Sequence, residues 1–131
     1  MAFDQDGLRD FARRYAEAWG SHDPAQVASF YAPAGMIAIN GGPPTPIAET
    51  AAGFISAFPD IQVSMDDLIF KHETVEFRWT FTGTNTGPGG TGKAVRIHGF
   101  EEWTFGEDGL IANSIGHYDQ AEYDRQLGQP S

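Results

Sequence analysis

The stretch VEFRWTF, residues 75–81, sets the fold class of this chain. Its apolar residues occupy every second position and share one face: Val75, Phe77, Trp79 and Phe81. Such alternation is typical of a β-strand with one buried side, because successive side chains of a strand point to opposite faces of the sheet. The stretch therefore predicts a strand whose aromatic face lines a core.

Further strand patterns surround this one. Apolar and polar residues also alternate from residue 61 to residue 66. On the other side, a glycine-rich connection leads to a predicted strand at 94–105, and the tight turn GEDG, residues 106–109, leads to a last strand at 110–118. Together they predict a meander of four long strands.

Helical periodicity is concentrated near the beginning of the chain. Apolar residues at spacings of three and four predict helices at 3–19, 25–31 and from residue 45 or 46 to 58, with a short strand at 36–39. A short C-terminal helix is expected to run towards Leu127. Helices segregated against one face of an antiparallel sheet define an α+β domain.

The predicted architecture is thus an α+β cone. N-terminal helices pack on a strongly curved, mainly antiparallel sheet, which wraps round a helix and leaves one end open. The chain has 131 residues, which fits one domain spanning residues 1–131. No internal repeat divides it.

Composition excludes several classes of partner. Eighteen acidic and eight basic residues give a formal charge of −10, which disfavours binding to nucleic acid or to anionic membrane surfaces. The absence of cysteine excludes disulfides and thiol catalysis. Residues 1–11 lack the basic and apolar regions of a signal peptide, and no apolar run is long enough to span a membrane. We expect a soluble, cytoplasmic protein.

The last predicted strand ends in two ionisable residues, His117 and Asp119. They share the odd-numbered face with Ile111, Asn113 and Ile115, and the two isoleucines favour this face as the interior. Both ionisable side chains would then face a cavity near the open end of the cone. Alternatively, Asp119 caps the C-terminal helix, since aspartate is a preferred N-cap residue. The two interpretations are compatible.

The preceding strand leaves one choice open. Gly99 is a natural site for a β-bulge, and a bulge would exchange the faces of the strand. Either His98 or Glu101 would then line the cavity, with His98 as the preferred candidate. The alternative is that both lie at an edge in water.

Other residues are candidates for the pocket wall. We expect ligand contacts from Trp19, Trp79, Asn113 and Ile115, in addition to Glu101. Asn85 extends the face of residues 75–81 and either reaches the cavity or serves the glycine-rich turn.

Several kinds of catalytic centre are disfavoured by the motifs. The four histidines are scattered without the close spacing of metal ligands, so no metal site is expected. The glycine-rich segment lacks P-loop spacing, and no Gly-x-Ser-x-Gly motif occurs.

The order of motifs resembles the SnoaL-like polyketide cyclase family. It is carried by AFPDIQVSMDDLI at 57–69, VEFRWTFTGTNTG at 75–87, GEDGLIANS at 106–114 and an aspartate, Asp119, before QLG at 126–128. The resemblance covers nearly the whole chain. The family belongs to the larger group built like nuclear transport factor 2 and ketosteroid isomerase.

The resemblance implies a deep apolar pocket and chemistry without metal or cofactor. Enzymes of the family close a ring of polyketide esters by an intramolecular aldol step, and an aspartate before the QLG helix is the acid/base. Asp119 matches that position, with His117 and His98 as supporting catalytic candidates. Ketosteroid isomerases use a carboxylate base on the first strand. The segment MIAIN, residues 36–40, offers no acid, which disfavours steroid isomerisation.

Three kinds of function remain open at this point. The first is a cyclase or related acid/base enzyme acting on an apolar, carbonyl-bearing substrate. The second is a non-catalytic module that binds a small hydrophobic or aromatic ligand in the same pocket. The third is a scaffold for oligomers, since proteins of this group often form homodimers or higher homo-oligomers through the outer sheet face.

Overall fold

The computed structural model describes residues 4–128 of the chain. The helices are α1 (Gln5–Gly20), α2 (Pro24–Ala28), α3 (Ile47–Ala57) and α4 (Gln120–Gln126). The strands are β1 (Tyr31–Ile39), β2 (Thr45–Pro46), β3 (Gln62–Phe70), β4 (Val75–Thr84), β5 (Ala94–Phe105) and β6 (Ile111–Tyr118). The predicted start of the first helix at residue 3 and the ends of the predicted domain lie outside the described residues.

All six strands join one curled sheet in the order β2-β1-β6-β5-β4-β3. Only the β1–β6 pairing is parallel among these strands, and the other neighbours are antiparallel. The sheet stays open, with β2 and β3 at its edges. The predicted α+β class, with N-terminal helices on a mainly antiparallel curved sheet, is confirmed.

An aromatic cluster fastens α1 to the inner face of the sheet. Phe77 of β4 and Trp103 of β5 stack with their ring centroids 4.8 Å apart. Tyr15 of α1 meets both rings edge-on, with centroid distances of 5.4 Å to Phe77 and 5.2 Å to Trp103. All three residues are fully buried. Such pairs add about 0.5–1.5 kcal/mol beyond the burial of their area.

The second predicted helix is too long. It ends at Ala28, and Tyr31, which the periodicity placed in that helix, begins β1. Tyr31 aligns with Ile111 of β6, whose N–H donates to the Phe30 carbonyl oxygen at 3.0 Å. The pairing between strands thus determines the conformation here, and it overrides the local helical pattern.

A bulge in β6 reverses the predicted faces of the last strand. Thr104 pairs with Asn113, but the next residue of β5, Phe105, pairs with Ile111. Ala112 is therefore an extra residue on β6, and every side chain after it changes side. The prediction that Asn113, Ile115 and His117 face inward is wrong.

The inner face of β6 beyond the bulge carries even-numbered residues. Ser114 and Gly116 are buried, and Gly116 and Tyr118 line the internal pocket. Ile115, in contrast, is 38% exposed. A shift of one residue thus moves the whole set of side chains to the opposite face.

Gly99 does not form the expected bulge. It pairs in regular register with Trp79 of β4 and Tyr118 of β6. A Cβ atom at Gly99 would lie 2.5 Å from the Trp79 ring and 2.4 Å from the His117 carbonyl oxygen. The glycine makes room for the indole, and the regular alternation turns His98 outward and Glu101 inward. The preference for His98 as the inward residue is wrong.

No described helix, within residues 4–128, is long and apolar enough to cross a membrane.

The connection between β4 and β5 approaches the end of α3 closely at Gly87. The Gly87 N–H donates to the Ala57 carbonyl oxygen at 3.2 Å. A Cβ atom here would lie 1.9 Å from the Ser56 carbonyl oxygen, which belongs to the backbone and cannot rotate away.

We therefore expect Gly87→Ala to lower the free energy of unfolding by about 2 kcal/mol, because the backbone must shift to relieve overpacking. Gly53→Ala is the matched control. Gly53 lies within α3, and its Cβ would meet no atom within 4 Å. That change should raise stability by about 0.5–1 kcal/mol. Urea unfolding measures both, and equal effects of the two substitutions would contradict the packing of this connection.

Candidate active site

The helices and the inner face of the sheet enclose an apolar pocket. It leaves about 60 Å³ for the centres of water-sized molecules, several times the roughly 10–15 Å³ that one water requires. Its walls come from α1, α3, α4 and five strands, and consist of Trp19, Ile37, Ile39, Thr50, Phe54, Val63, Trp79, Phe81, Ile97, Glu101, Gly116, Tyr118 and Tyr123. The pocket is thus an apolar chamber with one carboxyl group in its wall.

That carboxyl belongs to Glu101, which is 6% exposed. Its Oε1 atom accepts hydrogen bonds from the Trp103 indole N–H and the Ser114 hydroxyl, both at 2.9 Å. The Tyr31 hydroxyl donates to the same oxygen at 3.1 Å. Three strands, β1, β5 and β6, therefore hold one carboxylate oxygen.

The second oxygen of Glu101 is much less engaged. The Tyr15 hydroxyl of α1 lies 3.1 Å from Oε1 and 3.3 Å from Oε2. Four donors thus converge on Oε1, while Oε2 has one long contact. This asymmetry fixes the orientation of the carboxyl and leaves Oε2 the less engaged of its two oxygens.

Burial raises the pKa of Glu101 above its ordinary value, and the hydrogen bonds from Trp103, Ser114, Tyr15 and Tyr31 oppose that rise. These hydrogen-bond partners are all neutral. Burial also raises the pKa of Tyr15 and Tyr31 well above the ordinary tyrosine value, with a further contribution from the nearby Glu101 charge. The tyrosines therefore remain donors. A carboxyl with a raised pKa is suited to exchange protons near neutral pH.

The structure places Asp119 at the N-terminus of α4. Its carboxylate accepts the Glu122 backbone N–H at 3.1 Å, so the residue is an exposed N-cap. The helix-cap interpretation is confirmed. Asp119 is not among the residues that line the pocket, and its catalytic role stays a prediction.

His117 lies on the outer face of the sheet. Its ring stacks on Phe100 with centroids 4.6 Å apart, and its Nε2 atom lies 3.2 Å from a Glu102 carboxylate oxygen. His98 is on the same outer face, where its Nδ1 atom lies 2.9 Å from the Thr80 hydroxyl. Neither histidine is brought to Glu101 or to the pocket.

Three of the expected ligand contacts line the pocket, namely Trp19, Trp79 and Glu101. Asn113 and Ile115 lie outside it because of the β6 bulge. Asn85 organises the glycine-rich connection. Its amide donates to the Ala57 carbonyl oxygen at 3.1 Å, and its side-chain oxygen accepts the Thr91 N–H at 2.8 Å.

Sequence reasoning missed the hydrogen-bond donors around Glu101. Tyr15 was recognised only as part of an apolar helical stripe, and Tyr31 was assigned to the wrong element. A signal was available for part of the group, because Glu101 and Trp103 share the inward face of β5 in a strand without a bulge. The pocket residues Tyr118 and Tyr123 also went unnoticed, since the assumed face of β6 excluded Tyr118.

Within residues 4–128, no three His, Asp or Glu side chains are grouped so that they could hold a metal ion. The groups around Glu101 are hydroxyl and indole donors, which can hydrogen-bond the Glu101 carboxyl in its neutral or its ionised form.

The fold and site together define a class of protein: an α+β protein whose curled sheet encloses an apolar pocket with a buried carboxyl. Solved structures share this fold. AclR from Streptomyces galilaeus superimposes with a TM-score of 0.79 at 20% identity, over 96% of this chain and 87% of AclR. A protein with a ketosteroid isomerase-like fold from Catenulispora acidiphila gives 0.78 at 14% identity, over 92% and 94%. A SnoaL-like protein from Jannaschia sp. CCS1 gives 0.77 at 16%, over 100% and 97%.

The chain belongs to the SnoaL-like polyketide cyclase family, whose profile matches residues 9–127. A comparison with curated proteins gave no match. Membership confirms the resemblance drawn from the motifs. The expected homo-oligomer and the expected hydrophobic or aromatic ligand stay predictions.

The buried carboxyl predicts a distinctive pH dependence of stability. Because the pKa of Glu101 is raised in the folded protein, the unfolded chain releases this proton first as the pH rises. As the pH rises from the ordinary glutamate pKa of about 4.3 to the raised pKa of Glu101, the free energy of unfolding of the wild type should fall relative to that of Glu101→Gln. Urea unfolding at a series of pH values measures this difference.

Glu122→Gln is the matched control, with the opposite sign. The hydrogen bond from Arg125 is the main cause that lowers the pKa of the partly buried Glu122 to about 2. The wild type should therefore gain stability relative to this variant as the pH rises from about 2 towards the ordinary glutamate value. A stability difference for Glu101→Gln that does not change with pH would contradict the raised pKa.

Proposed function

We propose that the chain catalyses an acid/base reaction on a neutral, apolar, carbonyl-bearing substrate held in the pocket. The reaction that its family suggests is an aldol-type ring closure. The observation that carries the proposal is the asymmetric environment of Glu101. One carboxylate oxygen is held by four donors, the other has a single longer contact with the Tyr15 hydroxyl, and the residue lines an otherwise apolar chamber.

The chemistry can be written with Glu101 alone as the proton carrier. Its ionised carboxylate takes a proton from the carbon next to a carbonyl group, which leaves an enolate. The enolate carbon attacks a second carbonyl carbon of the same molecule, and a carbon–carbon bond forms. The new alkoxide recovers the proton from the neutral Glu101, so the carboxylate is regenerated and no other reactant is needed.

Two carboxyl groups are candidates for this role. Family resemblance favours Asp119, with His117 and His98 beside it. The geometry favours Glu101, because it is buried in the pocket wall, whereas Asp119 is exposed and caps α4. We therefore propose Glu101 as the acid/base and keep Asp119 as the second candidate. Separate substitution of Glu101 and of Asp119 distinguishes the two candidates.

A binding module is the alternative function. The four hydrogen-bond donors around Glu101 would also suit a carboxyl that only supports the core. The apolar pocket would then hold a small hydrophobic ligand without changing it. Such a protein should be stabilised by its ligand through mass action, with no turnover.

Exchange of α-protons tests the proposal without knowledge of the natural substrate. In D₂O, the wild type should speed the replacement of the α-hydrogens of cyclohexanone by deuterium, followed by ¹H NMR. Glu101→Gln should reduce this rate by about 100-fold or more, because a positioned base contributes about 10²–10⁴-fold. The wild-type rate should rise with pH through the raised pKa of Glu101, since the base must be ionised.

Asp119→Asn is the control, because asparagine also caps helices and the variant loses only the charge. It should keep the exchange rate within about twofold, whereas a loss confined to this variant would make Asp119 the acid/base. If cyclohexanone raises the melting temperature but exchanges no faster than in buffer, the binding-module alternative is correct.

A further inference from the structure

Trp79 forms part of the pocket wall, and its position is fixed by neighbouring backbone and side chains. It lies on β4 opposite Gly99 of β5, and the missing side chain of that glycine accommodates the indole ring. The Tyr118 ring, which also lines the pocket, is a further neighbour, with a centroid distance of 6.2 Å. Trp79 is therefore held in place by backbone and ring contacts.

The indole N–H of Trp79 is buried and has no hydrogen-bond partner in the described part of the chain. Two other polar side chains of the pocket wall, Thr50 and Glu101, are paired. The Thr50 hydroxyl lies 2.6 Å from that of Thr45, and Glu101 is held by its four donors. A buried donor without an acceptor destabilises a protein, because it has lost its hydrogen bonds to water. An unpaired group in a pocket wall is explained if the occupant supplies the acceptor.

The surroundings restrict the chemistry of that acceptor. An indole N–H is a donor only, so it needs an oxygen or nitrogen lone pair. An anion would enter an apolar chamber that already contains the Glu101 carboxyl, in a chain of formal charge −10. Desolvation and like-charge repulsion both oppose this. A neutral acceptor such as a carbonyl oxygen fits.

The register of the sheet brings this donor near the proposed base. Trp79 pairs with Gly99, and Glu101 follows two residues later on the same face of β5. Diagonal neighbours of this kind lie about 7–8 Å apart on a sheet, within reach of long side chains. One small molecule can thus contact both groups.

We propose that the Trp79 indole N–H binds the carbonyl oxygen of the substrate and so orients the adjacent C–H bond towards Glu101. This rests on the proposed function, but the binding contact can be tested apart from turnover. The substrate class is then a neutral ketone or ester with a compact apolar body at the carbonyl end.

The indole resonances test the contact directly. In ¹H–¹⁵N spectra, Trp79→Phe identifies the Trp79 signal, and Trp19 and Trp103 serve as internal references. Cyclohexanone should move the Trp79 indole proton downfield as a hydrogen bond forms. Methylenecyclohexane has the same shape without the oxygen, and it should produce no downfield shift up to its solubility limit.

Affinity provides the second measurement. Trp79→Phe should weaken cyclohexanone binding about fivefold more than Trp19→Phe, which removes an equal amount of ring from the same pocket. The inference is overturned if both probes shift the Trp79 signal alike, or if the two variants weaken binding equally. If the Trp79 contact fails these tests but α-proton exchange still depends on Glu101, the inference is wrong and the proposed function stands. Absence of binding by both probes would overturn the two proposals together.

Discussion

The buried carboxyl of Glu101 is the constraint on which much of the interior depends. A carboxyl group removed from water must find hydrogen-bond partners, and here they come from α1, β1, β5 and β6 through Tyr15, Tyr31, Trp103 and Ser114. Each donor therefore fixes the position of its own element relative to the others. The same contacts that satisfy a buried polar group also hold the first helix against the curled sheet.

This arrangement links packing to chemistry. The rings of Tyr15 and Trp103 belong to the aromatic cluster with Phe77, while their polar atoms reach Glu101. A change in one ring would therefore disturb both the core and the orientation of the carboxyl. If Glu101 is the acid/base that we propose, rigid support of this kind would keep its carboxyl at a fixed place without reorganisation during the reaction.

The sequence was sufficient for the fold but only partly for the site. Alternation at residues 75–81 and the early helical stripes predicted the α+β architecture, because those patterns extend over many residues. The orientation of β6 depended on Ala112 alone, since one extra residue exchanges the faces of the strand. Nothing in the local pattern distinguished Ala112 as a bulge, so Asn113, Ile115 and His117 were placed on the wrong side.

Gly99 and Glu101 show why the direction of a side chain is hard to predict from its own strand alone. Gly99 was interpreted through its own backbone freedom, yet its role is set by the indole of Trp79 on the neighbouring strand. The inward direction of Glu101 follows from that same regular register. Polar groups on an inner face are then costly exceptions: a carboxyl that requires four donors, and an indole N–H that finds no acceptor among residues 4–128. Selection for stability alone would favour apolar residues at both positions, and their presence as diagonal neighbours on one face supports the proposal of a partly polar substrate.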